Sequence, residues 1–427
     1  MRTMKLSILV VCFSFYCFSG TLSAQAVDDG FTPVKPAQPN ANKGPKLLPS
    51  PTDVIPVVKI EIKNSRPLWS PDGKKIAFAK CRTPGGNVCE YQVCVIDADG
   101  SNYKPISTLS SPDNFCWSPD GKKLAFIGGK DRNICISNPD GTSMEEVTNQ
   151  AEELSRSTID YPSWSPDGTK IAFERGNQVW IIAVDGSTWF KLCDGARPSW
   201  FPGGKRIAFV KKNHDNAVVH EVCAIDVDGK NPQVLMPERP SRGLTDMEAY
   251  IVENLTVSPD AQKVYCSIRE WNNEKSSSIF YVKTDGSEAI NLTGHHRDPE
   301  ALPSLSPDGK FLAFIKGSNL WRMDLASSSG ADDGKPFHRL TPNDKSLRTL
   351  RPQTAILTKQ KEAKQDGPLS WSPDGKMIAY AQDGEIWVTD SKGSSQVQIT
   401  SAKNNALELA QKKQTDEPIF IMQAPRK

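Results

Sequence analysis

Trp69-Ser70-Pro71-Asp72-Gly73-Lys74-Lys75-Ile76-Ala77-Phe78 joins two apolar pieces through a tetrapeptide built for a tight turn. The proline presets φ for the second turn position, the aspartate hydrogen-bonds its own backbone, and the glycine accepts the left-handed conformation that follows a type I turn. The stretch therefore reads as strand, bulged hairpin, strand. It returns at Trp117 to Gly121, Trp164 to Gly168 and Trp371 to Gly375. Degenerate copies stand at Trp200-Phe201-Pro202-Gly203-Gly204, Val257 to Ala261 and Leu305 to Gly309. The seven copies are 48, 47, 36, 57, 48 and 66 residues apart, which brackets a four-stranded unit with loops of variable length.

Each copy follows one grammar. In the first, Pro67-Leu68-Trp69 leads through the turn to Lys75 to Phe78, then a loop, Val93 to Asp97, a second turn at Asp99-Gly100, and Ile106-Ser107. The second turn recurs at Asp140-Gly141, Asp185-Gly186, Asp228-Gly229 and Asp285-Gly286, with Gly393 in the last copy. Ile76, Leu124, Ile171, Ile207, Leu312 and Ile378 form one column. Phe78, Phe126, Phe173, Phe209, Phe314 and Tyr380 form another two residues on, the period of a strand. The expected fold is all-β, a β-propeller of seven four-stranded blades over residues 54–401, the columns forming the faces between blades. Six or eight blades are the alternatives, because the fourth and fifth copies are weak. Ala261 replaces the turn glycine of the fifth copy, so a strained or altered turn is expected there.

The unit P-x-W-S-P-D-G-K-x-I-A-F, followed by a D-x-D-G turn and an L-T strand, resembles the TolB-type propeller repeat over about residues 60–401. The resemblance implies a propeller of bacterial envelope or secreted type. Members of that family carry an amino-terminal α/β domain, for which the residues before the first repeat, near 57, leave no length. Such propellers also occur fused to serine hydrolases. Here 27 residues follow Thr400 and no G-x-S-x-G is present, so no fused peptidase is expected.

The amino terminus sets the expected compartment. Arg2 and Lys5 precede an apolar stretch, Leu6 to Phe18, and Ala24-Gln25-Ala26 offers a small-x-small cleavage site, so residues 1–26 read as a secretory signal peptide. The apolar run is too short for a comfortable membrane span, and no later segment is apolar enough, so no membrane span is expected. Residues 27–53, with six prolines among polar residues, read as an extended leader. Residues 402–427 read as a tail with a short helix at 402–416 and a strand at 418–423. The alternation of Val58, Ile60 and Ile62 reads as a strand, and either it or Ile419 to Met422 is expected to close the ring by strand exchange in the seventh blade.

Losing Arg2 and Lys5 would leave 50 basic against 50 acidic residues. That balance argues against nucleic acid, whose phosphates call for an excess of Lys and Arg. Of ten cysteines, Cys12 and Cys17 would leave with the signal. Cys94, Cys135 and Cys223 each sit six residues before a second-turn glycine, where other copies carry Trp180, Phe280 and Trp387, and Cys266 occupies the Phe78 column. Those four read as core fillers. Cys81 and Cys89 flank the loop between the second and third strands of the first unit and read as a candidate disulfide. The absence of a C-x-x-C pair gives a structural zinc site little support.

The turn aspartates and glycines Asp72, Gly73, Asp120, Gly121, Asp167, Gly168, Asp308, Gly309, Asp374 and Gly375 read as structural. Among the histidines, His214, His220, His295, His296 and His338, the one cluster is His295-His296-Arg297-Asp298, between the fifth and sixth copies. It is the candidate binding loop, although adjacent residues of an extended segment point apart and chelate poorly. Insertions at 236–254 and 342–367 are further recognition candidates. No catalytic residues, metal or cofactor are assigned. The sequence reads as an exported, monomeric protein- or ligand-binding module. A metal-assisted polysaccharide lyase or hydrolase is the second reading, by fold analogy.

Overall fold

In the computed structural model the described residues are 61–83, 90–109, 114–128, 132–148, 158–212, 220–236, 250–270, 273–293, 300–316, 319–325, 337–341 and 368–400. They build seven four-stranded antiparallel sheets, each formed by four consecutive strands. The first blade holds β1 (Glu61–Trp69), β2 (Lys75–Thr83), β3 (Glu90–Asp97) and β4 (Lys104–Leu109). The remaining blades open on β5 (Phe115–Trp117), β9 (Ile159–Trp164), β13 (Ala196–Trp200), β17 (Tyr250–Val257), β21 (Glu300–Leu305) and β25 (Ser370–Trp371). The weak fourth and fifth copies form full blades, so the protein is a seven-bladed β-propeller.

The repeated motif makes both the turns and the joints. Asp72 Oδ1 accepts from Ser70 Oγ at 2.6 Å and from the Lys74 N–H at 3.1 Å, while Ser70 Oγ accepts from the Lys75 N–H at 2.9 Å. At the ends of the opening strands, Trp117, Trp200 and Trp371 donate from Nε1 to the carbonyls of Leu68, Ser163 and Ser304 in the blade before. Opening strand therefore meets opening strand round the axis. The turn proline of one blade also packs on the turn glycine of the next, from Pro71 on Gly121 round to Pro373 on Gly73.

The apolar columns do lie between blades, and they share one direction. Ile76 and Phe78 pack on Ala379, Ala381 and Ile386 of the seventh blade, and Leu124 and Phe126 on Ala77 and Val95 of the first. Ile171 and Phe173 likewise meet Ala125 and Ile127 of the second. The bulky column faces the preceding blade, and the alanine between its members faces the following one, so large meets small at each joint.

Register explains the cysteines. Phe78 pairs with Cys94, Phe126 with Cys135 and Phe209 with Cys223, and the fifth blade reverses the pair as Cys266 opposite Phe280. One large and one small side chain fill that slot in each of these blades, in either order. All four are buried and none is in a disulfide.

An apolar–Thr pair follows the last strand in the second, fifth, sixth and seventh blades. Thr148, Thr293 and Thr400 accept, through Oγ1, an N–H of the third strand of their own blades, from Ile134, Ile279 and Ile386. The apolar residue before each threonine returns the bond to the carbonyl of that same third-strand residue.

Among the described residues no strand is exchanged between the first and seventh blades. Ile62 pairs with Arg82 inside the first blade, and the described seventh blade is one contiguous run from Ser370 to Gln398. The seam between the two is held by the apolar cluster of Trp69, Ile76, Phe78 and Ile96 with Ile386, Val388 and Ile399, and by the backbone and side chain of the buried Asn64. Residues 1–60, 237–249 and 342–367, and the tail from 401 with Ile419 to Met422, lie outside the described residues, while the ends of the first insertion are strand: Met236 closes the fourth blade and Tyr250 to Asn254 belong to β17. No helix among the described residues is long and apolar enough to cross a membrane.

Candidate functional site

Five opening strands carry the same irregularity. Between the pairs Ser65–Ala79 and Leu68–Ala77, β1 spans three residues where its partner spans two, and the extra residue is a bulge. The same shift recurs in β9, β13, β17 and β21. Three residues before the Trp position, and inside each bulge, stand Arg66, Tyr161, Arg197, Asn254 and Leu302, at φ of 51, 52, 53, 52 and 62°. Asparagine tolerates that left-handed conformation, whereas Arg, Tyr and Leu adopt it at a cost of about 1 kcal/mol each. Strain of this kind persists where the surrounding structure over-determines it.

Four of these residues, Arg66, Tyr161, Arg197 and Asn254, line one cavity of about 520 Å³ between the first five blades. Aromatic walls come from Phe115, Trp117 and Trp164, and the two charged side chains on the lining are both arginines. Arg66 lies over the Phe115 ring at 5.6 Å and Arg197 over the Tyr161 ring at 4.8 Å, so each guanidinium has an aromatic neighbour within cation–π distance. Arg66, Tyr161, Arg197 and Asn254 are half-buried.

The bulges free backbone donors from the ladder, and polar side chains take them. Asn114 Oδ1 accepts the Tyr161 N–H at 3.0 Å while its Nδ2 donates to Asp160 at 2.9 Å. Glu174 accepts the Arg197 N–H at 3.2 Å. The nearby carboxylates are thus occupied in holding the bulges. Trp69 and Trp164, also on the lining, have buried Nε1 donors with no acceptor among the described residues, unlike Trp117. Cys116, at the wall, has its thiol pushed up to about 12 by desolvation and stays protonated at neutral pH.

The sequence-derived candidates fall elsewhere or lie outside the described residues. His295, His296, Arg297 and Asp298 lie outside them, as do Cys89 and His214. Cys81 is buried and disulfide-bonded. His220 is buried between the fourth and fifth blades and accepts the Val252 N–H through Nδ1 at 3.2 Å, and His338 is exposed. Gly73, Gly121, Gly168, Gly309 and Gly375 take φ of 70, 70, 74, 69 and 69°. Asp72, Asp120, Asp167, Asp308 and Asp374 each accept from the serine two residues before, and that bond holds their carboxyls below the usual range. Among the described residues no group of three His, Cys, Asp or Glu side chains is arranged to hold a metal.

The bulge residues stand outside the repeat motif, which begins at the proline. The residue just before the proline, in Arg66-Pro67, Tyr161-Pro162 and Arg197-Pro198, is the one that reaches the cavity.

No protein-family model matches the chain, and no curated protein sequence does. Solved structures do. A puromycin-hydrolyzing peptidase of Mycobacterium tuberculosis is 14% identical at a TM-score of 0.55, over 79% of this chain and 53% of its own. An oligogalacturonate lyase in complex with manganese is 13% identical at 0.51, over 75% and 89%. TolB from Acinetobacter baumannii is 17% identical at 0.41, over 72% and 75%. The chain spans about half the length of the peptidase. At such identities the likeness to the peptidase and the lyase shows the propeller fold.

Proposed function

We propose that this chain is an exported propeller that works as a binding module, with its ligand held in the central cavity. The observation that carries the reading is the convergence of Arg66, Tyr161, Arg197 and Asn254, on four separate blades, upon one concave space. A volume of about 520 Å³ lies in the range of ligand pockets, and a few polar groups among aromatic walls are what such pockets use to orient a ligand. Export is supported by the signal layout of residues 1–26 and by the even cysteine count of the remaining chain. A place in the envelope is further supported by the TolB-type repeat pattern.

The test uses the chain from residue 27 as bait in envelope and culture-medium extracts, beside the variant Ser199→Trp, whose indole would fill the cavity. Wild type should retain a partner or small molecule that the variant loses, with circular dichroism unchanged between them. Equal capture by both proteins would overturn the channel as the binding site. Metal analysis of the purified chain, run alongside, addresses the lyase reading.

A further inference from the structure

We propose that Cys193 and Cys223 form a soft-metal site that holds one copper(I) ion between the third and fourth blades. Cys193 lies on β12 (Trp189–Asp194), the last strand of the third blade, and Cys223 on β15 (His220–Asp226), the third strand of the fourth. Both line one pocket of about 260 Å³ and pack with the same apolar cluster of Val179, Phe209 and Ile225. Neither residue lines the central cavity, so the site is independent of that reading.

Both cysteines replace residues that other blades use for structure. Leu192-Cys193 stands where the second, fifth and seventh blades carry an apolar residue and then Thr148, Thr293 or Thr400, and Cys193 pairs with Val179 of its third strand. The threonine hydroxyls accept a third-strand N–H, a task for which sulfur is a weak acceptor. Cys223 holds the slot of Trp180, Phe280 and Trp387, and its small side chain leaves room that an aromatic ring takes in those blades. In the first blade Cys94 holds that slot too, but Tyr103 Oη lies 3.2 Å from its sulfur and covers it. The fourth blade has an open pocket there instead, with a second thiol on its wall.

The donor set narrows the ion. Among the described residues no third His, Cys, Asp or Glu joins the pair in a metal-holding group, which removes ions that demand four or six ligands. Two thiolates suffice for copper(I), a soft ion that sulfur ligands select. Desolvation pushes both thiols up to about 12, so the ion must displace both protons to solvent, and a univalent ion between two thiolates leaves one net negative charge. Lys211, on the same lining, favours the thiolate form of both cysteines, whereas Asp194 opposes it at Cys193 and Glu221 at Cys223. Asp194 is itself paired with Lys191 at 2.6 Å.

The test is titration of the purified protein with copper(I), without oxygen and in competition with a colorimetric copper(I) chelator. One ion per chain should be held, and the apparent affinity should rise about a hundredfold per pH unit between about pH 6 and about pH 8, because each ion releases two protons. Cys193→Ser and Cys223→Ser should each weaken binding roughly a hundredfold or more, beyond the cost of losing an outer partner of a ligand. Cys266→Ser, at a buried thiol of the fifth blade, should leave it unchanged. Should a serine variant misfold by circular dichroism, X-ray absorption of the wild-type complex decides instead: two sulfur ligands uphold the site, and nitrogen, oxygen or a third sulfur around the copper overturns it. No copper(I) retained against the chelator, retention undiminished in either serine variant, or zinc(II) held as tightly as copper(I) overturns it as well. So does a Cys193–Cys223 disulfide in protein isolated without reductant, which would make the pair a redox bridge.

Discussion

Asn64 donates to the carbonyl of Gly384 twice, from its backbone N–H at 2.8 Å and from Nδ2 at 3.0 Å, tying the first blade to the seventh across 320 residues. The same Nδ2 reaches Glu385 at 3.2 Å and Thr400 at 3.4 Å, and Asn64 is buried. Among the described residues no strand is exchanged, and this contact and the apolar cluster beside it join the first blade to the seventh. Asn64→Ala removes the side-chain donor and leaves buried acceptors without it, which costs about 1–3 kcal/mol. Thermal unfolding should show a lowered midpoint, and hydrogen exchange should rise first in β1 and in the seventh blade. An unchanged midpoint would place ring closure elsewhere.

Glu385 and the turn aspartates should bend the pH dependence of stability in opposite directions. Burial pushes the Glu385 carboxyl above its usual range, against the hydrogen bonds from Thr400 and Asn64. A raised folded pKa stabilises at low pH, and that contribution is lost as pH rises through it. Glu385→Gln should therefore gain on wild type as pH climbs from about 4 to about 7. The difference in midpoint between the two proteins, followed over that window, checks the sign.

The carboxyls of Asp72, Asp120 and Asp374 are held low, first by the hydroxyls of Ser70, Ser118 and Ser372. A depressed pKa contributes stability above the ordinary value and loses it as pH falls through the folded one, so the window lies below about pH 4. The triple variant Asp72→Asn, Asp120→Asn, Asp374→Asn should show a flatter fall in midpoint between about pH 4 and about pH 2. A fall as steep as that of wild type would show that other carboxylates govern acid unfolding.

Ala261 sits at φ 60° where the other SPDG-type turns place glycine, yet its turn is intact, with the Ala261 N–H bonded to the Ser258 carbonyl at 2.9 Å. The chain keeps the turn and accepts the strain. Ala261→Gly should raise stability by about 0.5–1 kcal/mol, the relief of left-handed strain less the added freedom of glycine in the unfolded chain. Denaturant titration at constant slope would measure it; a lowered midpoint would mean that the methyl group's packing outweighs the strain.

Cys81 is disulfide-bonded, and we expect its partner to be Cys89. Peptide mapping without reduction should recover that link and leave Cys94, Cys116, Cys135, Cys193, Cys223 and Cys266 as six thiols reactive only after denaturation. Cys89→Ser should cost about 2–3 kcal/mol, the loop-closure entropy of so short a loop. A bridge from Cys81 to any other cysteine would refute the pairing.

The sequence by itself determined the strands and turns of the repeat and pointed to seven blades, a count the sheets then settled over six or eight. Each of those rests on interactions within about six residues: proline and glycine dihedrals, the Asp72–Ser70 bond, and side chains alternating across a strand. Even the cysteines were legible, because a repeat register aligns Cys94 with Trp180 and Phe280 before any coordinates exist. Only the tertiary structure decided how the ring shuts and what faces its axis. Asn64 meets Gly384, and Arg66 shares a cavity with Arg197, through distances that no local rule encodes. A bulge of one residue sets which side chains turn inward, and it leaves no periodic trace because it breaks the period that strand reading depends on.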